Sequence, residues 1–398
     1  MRSVGAAGWS QHGYFGLHAQ TFGNPDGASS GGGAWTGISQ NPNYGPGTPG
    51  GAPQPGGGDG DALPPPARRD GGKNKNGPNQ GGGGGSPPPV GLVWTNRGQI
   101  TTGGAAFIAI ANNAEGDTVA VDENGNAYLS VTGGTEWALQ ELPISPIALE
   151  RTPCSMLFGS GGLLLATGAS SILYQSADAG ESWTTVFPPS SNGYVVLGTD
   201  GHGNWVALEF TSNSTEYAHS NDNGITWSQA GNVTTIGGGQ APYPCLWTGA
   251  EFVFAAFDPG TFNGEICASA DRLNWTVTAN TNNDEYGPLA FVDATYYAGS
   301  TNTPVVYKAA TIAELAASAD PITTPLPGDF VTIIQYAAPN WFAFDDQGNV
   351  ANSNSGFTVW ALGTQNFLAG ERVVGVCFDP IHNTVIAAGT SGSICTYP

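Results

Sequence analysis

Tryptophan recurs at a nearly constant interval through most of the 398-residue sequence. The recurring residues are Trp94, Trp137, Trp183, Trp227, Trp275 and Trp360. Successive members stand one period apart, except that Trp275 and Trp360 stand two periods apart with a degraded copy near Leu315 between them. The period lies in the mid-forties, which is the length of one four-stranded β-propeller blade. The sequence therefore predicts an all-β propeller.

The residues around each tryptophan repeat as well. Asp122 precedes Trp137 by the same interval as Asp345 precedes Trp360, and the two aspartates begin the turns DENGN and DDQGN. Each turn separates two strand-like runs, and such alternation of short strands and turns is typical of antiparallel blades. Seven blades are predicted, at 103–142, 154–187, 192–232, 241–280, 287–325, 331–362 and 373–398. Six blades remain an alternative if the weak 287–325 copy is an insertion.

In most of the predicted blades the outer strand follows the repeated tryptophan. The 373–398 segment lacks this tryptophan and its outer strand, whereas residues 91–99 contain Trp94 but no other strands of a blade. Joining the 91–99 strand to the 373–398 segment closes the ring and removes two exposed strand edges. We therefore predict one propeller domain over 91–398, closed by the 91–99 strand.

The turn before the tryptophan strand carries the most specific motif, S-x-D-x-G-x-x-W. The two complete copies contain Ser176, Asp178, Gly180 and Trp183, and Ser220, Asp222, Gly224 and Trp227. In a third copy, Asp271 and Trp275 are one residue closer together. Aspartate accepts backbone N–H bonds in a tight turn, glycine supplies a positive φ, and tryptophan packs between blades.

This motif resembles the Asp-box, or BNR repeat, of sialidases, some glycoside hydrolases and several non-enzymatic propellers. The resemblance covers 91–398 and implies turns that hold blades together. A sialidase needs three arginines that grip a carboxylate, but 91–398 contains four arginines in all and no F/Y-R-I-P segment. We therefore predict no catalytic residues, no enzyme activity and no cofactor or metal.

A glycan-acting hydrolase or lectin of the Asp-box type is the alternative. Two carboxylates could act as an acid/base pair, and loop acids are available. These acids are Asp200, Asp258, Asp284, Glu285 and Asp293. The tryptophans outside the repeat, Trp205, Trp247 and Trp341, are candidate glycan contacts, although residues of this kind more often belong to the core between blades.

Charge excludes two classes of partner. Residues 91–398 carry five basic and 27 acidic side chains. A surface of this charge repels phosphate backbones and anionic lipid headgroups, so we expect no nucleic acid and no membrane insertion. Five cysteines without a C-x-x-C pair favour buried thiols in a protein made in a reducing cytosol.

The first 90 residues contain 26 glycines and 13 prolines, too many for a folded core. Residues 1–44 also hold aromatic anchors, and residues 45–90 resemble a bare tether. The predicted docking anchors are Trp9, Tyr14, Phe15, Phe22, Trp35 and Tyr44.

A docking arm followed by a tether and a β-domain resembles a bacteriophage tail or capsid appendage. This resemblance predicts a non-enzymatic virion protein, assembled in the host cytoplasm, that residues 1–44 anchor to other virion proteins. The propeller would be displayed outward, where a host surface glycan is an expected partner.

Overall fold

The computed structural model describes most of the region from residue 92 onward. The described residues are 17–18, 92–140, 155–167, 172–186, 194–210, 215–233, 244–258, 263–281, 284–317, 319–354, 357–364, 367 and 371–398. The aromatic anchors of residues 1–44 and the whole 45–90 tether lie outside these ranges. Within them, no helix has the length and apolar character needed to cross a membrane.

The described strands form seven sheets that follow one another along the chain. Two strands precede the first complete sheet: β1 (Leu17–His18) and β2 (Thr95–Gln99). The first sheet contains β3 (Phe107–Asn112), β4 (Thr118–Asp122), β5 (Ala127–Ser130) and β6 (Ala138–Gln140). The second contains β7 (Met156–Phe158), β8 (Leu164–Thr167), β9 (Leu173–Ser176) and β10 (Thr184–Val186). The third contains β11 (Tyr194–Thr199), β12 (Trp205–Phe210), β13 (Thr215–Ser220) and β14 (Ser228–Asn232).

The remaining sheets have the same plan. The fourth contains β15 (Leu246–Trp247), β16 (Phe252–Asp258), β17 (Asn263–Ser269) and β18 (Thr276–Ala279). The fifth contains β19 (Tyr286–Val292), β20 (Thr295–Ser300), β21 (Val305–Ala309) and β22 (Ile322–Thr323). The sixth contains β23 (Val331–Ala337), β24 (Asn340–Asp345), β25 (Val350–Ser353) and β26 (Ala361–Leu362). The last contains β27 (Val373–Asp379), β28 (Thr384–Gly389) and β29 (Ser393–Tyr397), together with β1 and β2.

The first six sheets are antiparallel meanders whose first strands lie nearest the axis of the ring. In the last sheet the meander β27-β28-β29 is completed by β2 on its outer side, and β1 is added on its axial side. The predicted seven-bladed β-propeller is therefore confirmed, and the six-bladed alternative is wrong because β19–β22 form a complete blade. In this fifth blade the helix α1 (Ile312–Ala317) replaces the tryptophan-containing turn. Its Leu315 is fully buried and fills the position of the degraded repeat copy.

The hydrophobic core lies between blades. Each buried cluster combines side chains from neighbouring sheets, as where Val206 and Leu208 of the third blade meet Phe254 of the fourth. Strands that are covered on both faces read as continuous apolar runs, and β3, FIAIAN, is buried along its whole length. Blade-to-blade packing therefore stabilises the ring.

The last blade is completed by a strand from the opposite end of the domain. β2 pairs antiparallel with β29, so that Thr95 lies opposite Thr396. Just before β2, Trp94 is buried among Phe342 and Phe344 of the sixth blade, with ring centroids 5.5 and 5.6 Å away. The outer edge of β29 is therefore paired with β2.

Candidate functional site

The turn motifs have a shared hydrogen-bond pattern. In the second blade, Gly180 N donates to Ser176 Oγ at 2.7 Å, and Ser182 N donates to Asp178 Oδ1 at 2.8 Å. The Trp183 indole N–H donates to the carbonyl oxygen of Gly180 at 3.0 Å. The third blade repeats these bonds with Ser220, Asp222, Gly224 and Trp227. These bonds stabilise the turn, and the carboxyl groups of Asp178 and Asp222 lie on its exposed side.

The turns also join neighbouring blades. Gly180 and Gly224 have φ values of 92° and 80°, and a Cβ on Gly224 would lie 2.8 Å from Leu165 of the preceding blade. In the fourth blade, Asp271 accepts bonds from Leu273 N and Asn274 N at 2.8 and 2.7 Å. The Trp275 ring there packs against Tyr217 of the preceding blade, with ring centroids 5.7 Å apart. The shortened motif is therefore a related turn that also contacts its neighbour.

The candidate catalytic acids also act largely as local acceptors. Asp200 is buried and accepts bonds from His202 N and Asn204 N at 2.7 and 3.1 Å. This segment, DGHGN, repeats the D-x-x-G-N pattern of Asp122 and Asp345, both of which accept bonds from the asparagine four residues later. The D-x-x-G-N pattern at Asp200 is the sequence signal that indicates a turn aspartate here.

Asp284 and Glu285 are adjacent carboxyl groups at the start of the fifth blade. Ser300 Oγ donates to Asp284 at 2.7 Å, and Tyr307 also donates to it. Burial raises the pKa of Glu285, while a hydrogen bond from Thr301 lowers it and neighbouring Asp284 raises it further. Asp293 is exposed in a hairpin turn. The side chain of Asp258 lies outside the described residues.

Of the three tryptophans outside the repeat, two are buried in the hydrophobic core and one is partly buried. Trp205 is fully buried, with its indole N–H donating to Asn223 at 3.1 Å. Trp341 is buried, 4.2 Å by ring centroids from Tyr297. Trp247 is partly buried, 4.7 Å from Phe252. Trp205 and Trp341 therefore have no ring face available to a glycan.

An unpredicted feature lies at the axis, where β1 pairs with β27. The pairing is parallel, with Leu17 opposite Gly375 and His18 opposite Val376. In the sheet order, β1 lies on the side of β27 away from β28, and it also lies next to β23 and β3. The channel edge of β27, which we define as the backbone edge of Gly375 and Val376 facing β1, is thus a site that holds an extended segment.

Gly375 distinguishes β27 from four other inner strands. A register shift follows the first residue of β27, as it does in β3, β11, β19 and β23. The first residue after this shift is buried and apolar in the other four strands, namely Ala109, Val196, Leu289 and Ile333. Glycine in a strand often marks a place where another backbone approaches closely. The sequence repeats do not predict that β1 pairs with β27. The sequence shows only that a glycine stands at position 375.

The described residues indicate neither a metal site nor a reactive thiol. Across the described part of the chain, no group of three or more His, Cys, Asp or Glu side chains could hold a metal ion. Burial raises the pKa of the Cys267 and Cys377 thiols well above the ordinary value.

The chain is similar to solved β-propellers. YCF48 from Cyanidioschyzon merolae matches with a TM-score of 0.59 and 13% identity, over 77% of this chain and 98% of that chain. YCF48 bound to D1 peptide gives 0.59 and 14%, over 77% and 97%. The WD40 propeller domain of Doa1 gives 0.56 and 11%, over 77% and 97%. No family model and no curated protein matches the chain.

Identities of this size show the fold alone, because one fold carries many functions. The chain is a seven-bladed β-propeller similar in architecture to YCF48 and to WD40 domains.

Proposed function

We propose that the protein is a non-catalytic propeller that makes protein contacts, and that the channel edge of β27 binds an extended peptide. The observation that carries this proposal is the parallel pairing of Leu17 with Gly375 and of His18 with Val376. Addition of a strand to a sheet edge is a common mode of peptide recognition, in which main-chain hydrogen bonds provide the affinity. YCF48, a protein of the same architecture, is known bound to a D1 peptide.

The surroundings of two candidate acids and two candidate tryptophans favour binding over turnover. Asp200 and Asp284 are buried and accept hydrogen bonds from their own blades. Trp205 and Trp341 are packed inside the ring. A hydrolase or lectin needs accessible carboxylates or accessible rings, and these residues supply neither.

Disulfide trapping tests the proposed peptide site. Directly paired residues of neighbouring strands have Cα atoms about 4.8 Å apart, which lies within the range of disulfides. A Leu17→Cys, Gly375→Cys variant should therefore form a disulfide on mild oxidation, and peptide mass spectrometry should identify the cross-linked pair.

The matched control combines Leu17→Cys with Leu289→Cys, which occupies the corresponding position of β19 in the fifth blade. We expect no cross-link between these two residues. Equal yields in the two variants, or no yield with Gly375→Cys, would show that β1 does not pair with the channel edge and would remove the proposal's basis.

We further propose that the propeller is of the Asp-box type and serves as a virion component anchored by residues 1–44. The matching turn bonds of Asp178 and Asp222 support the first part. For the second, a chain that lacks residues 1–44 should keep the unfolding midpoint of the propeller yet be missing from purified particles. Normal incorporation of this shortened chain would contradict the anchoring role.

A further inference from the structure

The channel edge of β27 already has an occupant, which is part of the same chain. We infer that Leu17–His18 is a built-in ligand of this edge, and that an extended peptide of a partner binds by displacing it. This inference rests on the proposed function, because it identifies the class of ligand and its competitor at the same site. Three observations carry it: the position of β1 in the sheet, the length of the connecting chain, and the composition of β27.

The last sheet is bounded on both sides by strands from the N-terminal part of the chain. Its order is β1-β27-β28-β29-β2, so that β1 lies at the axis and β2 at the rim. Four strand spacings separate β1 from β2, a distance of about 19 Å. β1 also belongs to the same structural unit as the ring. One chain therefore supplies both the innermost and the outermost strand of one blade.

The connection between these strands is long enough for intramolecular pairing. It consists of residues 19–94, which separate the end of β1 from the start of β2. A chain of that length can span up to about 250 Å, far more than the distance across one blade. Because segment and site are joined covalently, their effective concentration does not fall on dilution. An outside peptide must therefore compete with Leu17–His18 at every protein concentration.

The pairing involves the backbone, so it can be exchanged. In the described part of β1, two residue pairs are formed, and one of them involves Gly375, which has no side chain. A ladder of N–H and C=O groups accepts many sequences, since the backbone is common to all of them. The partner that fits is an extended segment that enters parallel to β27, between the inner strands β23 and β3.

The experiment measures binding of a fluorescent peptide of residues 11–24, QHGYFGLHAQTFGN, to full-length protein. Three proteins are compared: the unchanged chain, a Leu17→Pro, His18→Pro variant, and a Leu17→Ala, His18→Ala control that keeps both backbone N–H groups. Proline has no N–H and cannot donate to the ladder, so the double variant should leave the edge open. The last blade consists of the four strands β27, β28, β29 and β2, and β1 is an additional strand. Unchanged unfolding midpoints of the variants would therefore show that the ring is intact.

We expect the double variant to bind the peptide about tenfold more tightly than the unchanged chain, because the intramolecular competitor is lost. The alanine control should bind like the unchanged chain, because its backbone can still pair with β27. Equal affinity in all three proteins would overturn the built-in ligand while leaving the peptide site in place. Binding to none of them would overturn both the inference and the proposed peptide site.

Discussion

The guanidinium group of Arg272 donates a hydrogen bond of 2.9 Å to the carbonyl oxygen of Ser220 in the neighbouring blade. Arg272 directly follows Asp271, at the position of Ala179 and Asn223 in the complete motifs. Its φ of 65° lies in the left-handed region, as theirs do at 53° and 59°. A residue with a side chain is strained in this conformation. The bond to the preceding blade therefore offsets part of that strain.

Arg272→Ala should lower the free energy of unfolding by about 1–2 kcal/mol, because the inter-blade bond is lost and the strained φ remains. Arg272→Gly loses the same bond but relieves the strain, so it should be more stable than the alanine variant by about 1 kcal/mol. Urea unfolding of both variants measures the difference. Identical midpoints would show that the backbone at this turn is not strained.

Gly224→Ala should destabilise the ring more than Gly249→Ala does. Both glycines have positive φ, at 80° and 93°, so both substitutions carry the backbone cost. Only the Cβ at position 224 meets a neighbour, Leu165 at 2.8 Å, whereas nothing lies within 4 Å of a Cβ at position 249. Overpacking of this kind costs about 1–3 kcal/mol. Thermal unfolding of the two variants compares them, and a larger loss at position 249 would contradict the inter-blade contact.

Acid should weaken the turns of the second and third blades. Partial burial acts to raise the pKa of Asp178 and Asp222, but hydrogen bonds, led by those from Ser182 and Thr226, lower it below the ordinary value. A lowered folded-state pKa stabilises the protein above the unfolded pKa of about 4, and this stabilisation is lost as pH falls through the folded pKa. The melting temperature of an Asp178→Asn, Asp222→Asn variant should therefore fall less below pH about 4 than that of the unchanged protein.

The control for this acid effect is Asp320→Asn, at an exposed position. Its melting profile between pH 7 and pH 2.5 should follow that of the unchanged protein. A double turn variant with the same acid dependence as this control would show that Asp178 and Asp222 do not contribute to acid sensitivity.

Trp94→Ala should open the ring at the last blade. The indole is buried against Phe342 and Phe344 of the sixth blade, and removal of such a side chain costs about 3–5 kcal/mol. Val93→Ala, at a neighbouring position that is 62% exposed, should change stability by less than about 0.5 kcal/mol. Denaturant unfolding distinguishes them, and a small effect at Trp94 would mean that ring closure does not depend on this contact.

The repeat predicted the blades because each blade uses the same physical device. In most blades a tryptophan stands just before the outer strand and packs beside the turn. The spacing of Trp183, Trp227 and Trp275 therefore gives the length of a blade. The fifth blade lacks this tryptophan, because α1 and Leu315 satisfy the same packing requirement.

The channel edge of β27 could not be predicted from the sequence. Its recognition groups are backbone atoms, which every residue carries, and the two residues of β1 form no pattern that hydrophobic periodicity can detect. The environment of Trp205 was also ambiguous, since a strand tryptophan can face a ligand or the next blade. Its packing with Leu157 and Leu163 of the preceding blade becomes visible only when the blades are assembled.

The strand that closes the ring also determines the order in which the protein can fold. Thr95 and Thr396 lie at opposite ends of the propeller sequence, whereas the other six blades are built from hairpins between nearby strands. During synthesis, those six blades can form while the seventh waits for Ser393–Tyr397 to emerge from the ribosome. Contacts at such separation are slow to form. In that interval Trp94 lacks its contact with Tyr397, so the unfinished ring exposes apolar surface and is most vulnerable to aggregation.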